Sequence, residues 1–188
     1  MEKKKLTTRK IVFTALMAAL TAAGSALRIT MPLSIAGTTS FHLGNIICAL
    51  SGILLGPWLG GLAAGLGSAI YDCFNPLYIS EAWITFLFKG AYGLAAGLIA
   101  YAGHKKWGYG KAVLATVAGA VAYAVLYLAK SFFYNGLFVS GLTPDAALVT
   151  VGLKLPATAF NAVIAIIAAP VLAVAIRKAL EKNRLSLD

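Results

Sequence analysis

Long apolar runs alternate with short polar breaks along the chain. Runs near residues 10–30, 38–55, 58–74, 81–103, 111–138 and 147–177 read as helices on the scale of a bilayer, whose hydrocarbon core takes ~20 apolar residues to cross. The breaks carry turn chemistry. Met31-Pro32 follows the first run, and Gly56-Pro57 separates the second and third so tightly that they form a helical hairpin. Asn75-Pro76 ends the third, because proline lacks a backbone donor and disfavours helix before it. Residues 104–111 are polar and contain glycine, and residues 141–145, with Pro144, make the last loop. The pattern predicts an all-α membrane protein, six transmembrane helices forming one domain over residues 1–188. Runs five and six are longer than a bilayer needs, which predicts tilt or extension beyond it.

Composition sharpens this. Hydrophobic residues make up 60% of the chain and charged residues 12%, half the share of roughly a quarter in soluble domains. The mean hydropathy of +0.85 agrees. Six spans with short loops leave no room for a second domain. The basic start, with Lys3, Lys4, Lys5, Arg9 and Lys10, precedes an apolar run that no cleavage site closes. The expectation is a retained helix over residues 11–29, not a cleaved signal peptide. A net charge of +10 suggests nucleic acid only until the charges are placed. They cluster at the ends of apolar runs, where orientation in a membrane accounts for them, so no nucleic-acid partner is expected. Cys48 and Cys73 lie in different runs, match no zinc or redox spacing, and read as small core residues.

With the N-terminus inside, the inner ends hold those five cations, then Lys105, Lys106 and Lys111, then Arg177, Lys178, Lys182 and Arg184. The outer ends carry Asp72, Glu81 and Asp145 instead. The excess of positive charge on one side predicts both termini in the cytoplasm. Four cations are left over: Arg28, Lys89, Lys130 and Lys154. Arg28, near the outer end of helix one, is placed to snorkel, and it is counted with Lys89, Tyr92, Tyr127, Lys130, Tyr134, Lys154, Thr158 and Asn161 as a candidate ligand residue. The three lysines, from helices four, five and six, fall at one depth, ~10–12 Å below the outer surface at 1.5 Å per residue.

A lysine at mid-membrane depth costs at least ~2.5–3.5 kcal/mol unless something offsets it, so such residues face a bundle interior or a wet cavity. Polar and aromatic neighbours recur at helical spacing beside each: Thr85 and Tyr92 with Lys89, Tyr123, Tyr127 and Tyr134 with Lys130, and Thr150, Thr158 and Asn161 with Lys154. These faces predict one outward-facing pocket for a ligand with a carboxylate or phosphate and an aromatic part. Two other readings stand beside it. The lysines pair with Asp72, Glu81 and Asp145, or they snorkel outward. His42 and Trp83 read as residues of the membrane interface, and Asp72 and Asn75 as caps at a helix end. No metal or cofactor site is expected: the two histidines lie far apart, and no acidic cluster joins them.

Small residues mark close helix contacts. Ala15, Ala19 and Ala23 form one line along helix one, and Ala18, Ala22 and Ala26 the next. The first line is read as a partner surface. Gly61 and Gly65, and Gly93 and Gly97, repeat the spacing and are read as internal packing.

Taken together, the chain resembles an S component, the substrate-binding membrane subunit, of an energy-coupling factor (ECF) transporter. The resemblance rests on the six runs with a basic start and on the alanine steps. It rests also on Phe41-His-Leu-Gly44-Asn45, and on Gly56-Pro57-Trp-Leu-Gly60-Gly61 leading to Asp72. It covers essentially the whole chain. It implies a six-helix bundle with a ligand site near the outer face, built from the loop after helix one and from helices four to six. Residues 31–40 are then the candidate gate. It further implies that Ala15, Ala19 and Ala23, or their neighbours, meet a transmembrane scaffold subunit, and that two cytoplasmic ATPases drive import of a vitamin or vitamin-like compound. The chain has no Gly-x-x-x-x-Gly-Lys-Ser/Thr of its own, so no ATPase site is expected in it. A stand-alone transporter or channel is the alternative reading.

Overall fold

In a computed structural model, residues 7–33, 38–104 and 107–184 are described. The predicted inner cations Lys3, Lys4, Lys5, Lys105 and Lys106 lie outside these residues, as do positions 34–37 of the candidate gate. Six helices form the bundle: α1 (Thr8–Ala26), α2 (Gly44–Leu55), α3 (Pro57–Cys73), α4 (Ala82–Tyr101), α5 (Tyr109–Lys130) and α6 (Pro144–Lys182). A 3-10 turn over Ile79–Glu81 leads into α4, and a π-helical segment over Ser131–Val139 extends α5. Three helical stretches, Ile79–Tyr101, Tyr109–Val139 and Pro144–Lys182, are long and apolar enough to cross a membrane.

Two expected boundaries are wrong. Helix one was predicted to run to residue 30 and helix two to begin at 38. Instead Arg28–Pro32 forms strand β1 and Thr38–His42 forms strand β2, paired antiparallel with Arg28 opposite His42 and Pro32 opposite Thr38. The residues explain it. Ile29, Thr30, Thr38 and Thr39 are β-branched and favour strands, and Pro32 cannot continue a helix. The backbone leaves the helix at Leu27, whose N–H bonds the Ala23 carbonyl. At the other end of the chain, α6 begins at Pro144, three residues earlier than expected, because proline suits the first helical position.

The buried apolar residues are mostly alanine, while Trp58, Phe74 and Phe138 are more than three-quarters exposed. This inversion of the usual soluble pattern suits a lipid solvent. Between helices in lipid there is no hydrophobic drive, and close packing of small residues takes its place. α2 lies at the centre, touching all five other helices, with ten of its 12 residues buried.

The two glycine pairs bring α3 and α4 together, as internal packing. A Cβ on Gly93 would stand 2.7 Å from the Gly60 carbonyl oxygen, and one on Gly97 would stand 2.5 Å from Pro57. Gly52 of α2 joins them, 2.3 Å from the Gly93 oxygen by the same measure. Gly56 makes the tight α2–α3 turn with φ at +82°, a conformation that favours glycine. All these contacts fall at one end of the bundle. The β1–β2 hairpin and the buried polar residues Asp72, Lys89 and Lys154 occupy the other.

On α3, a Cβ on Gly67 would approach the Ala18 carbonyl of α1 to 2.1 Å, whereas one on Gly110 meets nothing within 4 Å. Gly67→Ala is therefore expected to destabilise the protein by roughly 1–3 kcal/mol through overpacking. Gly110→Ala is expected to be neutral or slightly stabilising, by less than about 1 kcal/mol. Thermal unfolding in detergent distinguishes the two.

Candidate functional site

At the end of the bundle opposite the glycine contacts lies a cavity of about 300 Å³. Both strands and every helix except α2 contribute to it. β1 supplies Arg28, β2 supplies Thr38, Ser40 and His42, and the end of α3 supplies Asp72. Tyr78 and Glu81 come from the following loop and turn, and Thr85 and Lys89 from α4. Tyr123, Tyr127 and Lys130 come from α5, Asn135 from its π-helical extension, and Lys154 from α6. The three lysines expected to share a depth therefore share one cavity, and Arg28 joins them.

Their partners differ. Lys130 forms an ion pair with Glu81, whose other oxygen accepts from Asn135 Nδ2 at 2.6 Å. Lys89, only 4% exposed, donates to Asn45 Oδ1 and lies 3.9 Å from the centroid of the Tyr123 ring. Lys154 donates to Ser131 Oγ at 3.4 Å. Arg28 does not snorkel: its guanidinium sits 4.4 and 4.7 Å from the Tyr71 and Tyr78 ring centroids, and its Nε donates to the Ser25 carbonyl. Asp72 is buried and lines the cavity with Thr85, with no ion pair among the described residues. Asp145 is exposed at the start of α6 and takes no part. Four cations thus face two carboxylates, an excess of two positive charges that ion pairing within the protein does not remove.

Aromatic rings run along one side. Tyr92, Tyr123 and Tyr127 stack in series at 6.0 and 5.7 Å between centroids. Tyr78 shares hydrogen bonds with Thr38 and Ser40 of β2, at 3.3 and 3.1 Å. Burial pulls its phenol upward, but the hydrogen bonds from Ser40, Thr38 and Thr30 and the Arg28 charge outweigh that and leave it below the ordinary tyrosine range.

A family model described as "ECF-type riboflavin transporter, S component" matches residues 5–178. The chain belongs to this family. The resemblance read from the sequence is thereby borne out, and the family is one of transporter components rather than enzymes. A Pyrococcus woesei protein, described as an uncharacterized protein in the gap 3′ region, is 32% identical over 95 residues. That alignment takes in 50% of this S component and 61% of the relative, so the chain spans about three-fifths of the relative's length.

Of the predicted ligand residues of this S component, Arg28, Lys89, Tyr127, Lys130 and Lys154 line the cavity, and four lie off its wall. Tyr92 is fully buried behind Tyr123, with its hydroxyl unpartnered among the described residues. Tyr134 stacks on Phe138 instead. The Thr158 hydroxyl bonds back to the Lys154 carbonyl at 2.9 Å. Asn161 does something else. Its Oδ1 accepts from the His42 N–H at 3.0 Å and its Nδ2 donates to the Ser40 carbonyl at 2.8 Å, so one α6 amide holds β2 by both its ends.

His42, read as an interface residue, lies in β2 on the cavity wall, and its Nδ1 is buried without a described partner. Asp72, read as a cap, is also on the wall, and Asn75 caps no helix: its Oδ1 accepts from the Leu77 N–H at 3.0 Å in a local turn after α3. Trp83 is 62% exposed on α4, as a residue facing lipid headgroups should be. Ser40 falls within the candidate gate, residues 31–40, but sequence reasoning missed Tyr78 and Asn135, and missed that Ser40 sits in a strand. Tyr78 and Ser40 act through the hairpin, and Asn135 is turned by the π-helical segment, which shifts side chains off the 3.6-residue pattern.

Asn161→Ala removes both clamps on β2. Hydrogen exchange at residues 38–42 is expected to speed up, with overall stability falling by about 1–3 kcal/mol. Unchanged exchange there shows that β2 is held by other means.

Proposed function

We propose that this S component is the high-affinity substrate-binding subunit of an ECF-type importer, one transmembrane domain with six spans and both termini in the cytoplasm. A scaffold subunit and two ATPases complete the machine. Its ligand is a vitamin or vitamin-like molecule with a carboxylate or phosphate beside a flat ring, held in the cavity beneath the hairpin. The observation that carries this reading is the excess of two positive charges on a wall that also presents Tyr123 and Tyr127. A buried excess of this kind suits an anion brought by the ligand. The riboflavin in the family's description supports a flavin-class ring against the tyrosines.

The six-span arrangement draws support from helix lengths. α1 and α3, at 19 and 17 residues, approach the ~20 needed to cross. α2 has 12 residues, ~18 Å at 1.5 Å each, and the hairpin continues its path towards the cavity end. The scaffold surface is Ala15, Ala19 and Ala23, all exposed on one line of α1 beside Leu16 and Leu20, while Ala18 on the next line is buried.

Native mass spectrometry of the purified protein is expected to find a bound, vitamin-sized anion, and a pull-down is expected to recover an ATPase-containing complex. Ala19→Leu should weaken that complex. A ligand-free preparation that joins no ATPase, yet transports alone in vesicles, establishes the stand-alone transporter instead. Replacing Lys89, Lys130 or Lys154 singly by methionine is expected to lower ligand affinity by about tenfold or more, the worth of one charge-assisted hydrogen bond. Unchanged affinity in all three removes the anionic-ligand reading.

A further inference from the structure

The four cations of the cavity are not equivalent, and the difference selects one of them. Lys130 is neutralised by Glu81. Arg28 is enclosed by two tyrosine rings and tied to the Ser25 carbonyl. Lys89 donates to Asn45 Oδ1 and has the Tyr123 ring face close by. Lys154 is 5% exposed and lines the cavity, yet no carboxylate stands within 4 Å of it among the described residues. Its one described hydrogen bond is long, 3.4 Å, and goes to a neutral hydroxyl. That hydroxyl donates onward to the Tyr127 carbonyl at 2.9 Å and brings no negative charge to the ammonium. The Tyr127 ring centroid, at 5.8 Å, is near the outer limit for a cation–π contact.

An ammonium carries three donors, and a buried charge is stable only when paired and hydrogen-bonded. Among the four cations, Lys154 thus has the largest unmet demand. Its neighbourhood does not repel an anion, because Lys130 cancels the Glu81 charge nearest to it. We propose that Lys154 is the anchor for the ligand's anionic group, whose phosphate or carboxylate oxygens complete its hydrogen bonding at the seam between α6 and the π-helical end of α5. Lys130 remains paired with Glu81 and shapes the wall. This assignment rests on the importer reading above and narrows it to one residue.

The test uses the full chain in detergent with riboflavin and flavin mononucleotide, probes that differ by one phosphate, and with inorganic phosphate. The wild type is expected to bind the mononucleotide about tenfold or more tightly than riboflavin. Lys154→Met should abolish that preference, and Lys154→Arg should keep most of it. Lys130→Met, which leaves Glu81 unpaired, should weaken both flavins together and preserve their ratio. Equal affinity of the wild type for the two flavins, or a preference that survives in Lys154→Met, overturns the anchor and leaves the importer reading standing. If neither flavin binds, the flavin reading fails, and thermal unfolding in inorganic phosphate decides the anchor. A phosphate-dependent rise in melting temperature that Lys154→Met loses, and that Lys178→Met at the far end of α6 keeps, supports it. No rise, or a rise that Lys154→Met retains, overturns it.

Discussion

Backbone contact between α3 and α4 is the constraint on which the rest of the bundle depends. Gly60, Gly93 and Gly97 leave no room for a Cβ there, and Gly52 brings α2 into the same contact. In lipid, such approach replaces the hydrophobic drive that joins helices in water. It also has a direction. The glycines sit at the beginning of α3 and the end of α4, so the opposite ends of these helices carry Asp72, Thr85 and Lys89 around an open volume. The cavity exists because one end of the bundle is drawn tight and the other is propped by large polar and aromatic side chains.

That arrangement also decides which polar residues are tolerated. An apolar exterior leaves charged groups one place to go, and Arg28, Lys89, Lys130 and Lys154 all go there. α6 shows the division within a single helix. Its buried face reads Thr150, Lys154, Thr158 and Asn161 in one half and Ala165, Ala169 and Ala173 in the other. The first half faces the polar end and the second packs against the core.

Much of this could be read from residues alone. Apolar runs and their punctuation located the six helices, since helix in lipid is dictated by length and hydropathy. The glycine pairs announced the α3–α4 contact, and unpaired cations at helical spacing announced the cavity. The failures have a common cause. The hairpin is a short two-stranded ribbon whose only periodicity, Arg28-Ile-Thr-Met and Thr38-Thr-Ser-Phe, is easily absorbed into neighbouring helices. Without its strands, the candidate gate had no geometry, His42 and Tyr78 had no route into the site, and Asn161 appeared as a wall residue when it holds a strand. The pairing of Lys130 with Glu81, and not with Asp72 or Asp145, depends on the rotation of α5 against α4, which spacing within one helix cannot supply.

The Asn161 clamp joins residues 119 and 121 positions apart. Contacts of such separation form late, after the intervening chain has been ordered. The hairpin emerges from the ribosome among the first segments, yet its fastening arrives with the last helix. Until α6 is in place, the cavity wall lacks both the clamp on β2 and Lys154. Order in β2 and closure of the cavity wall are therefore delivered by a single helix and arrive together.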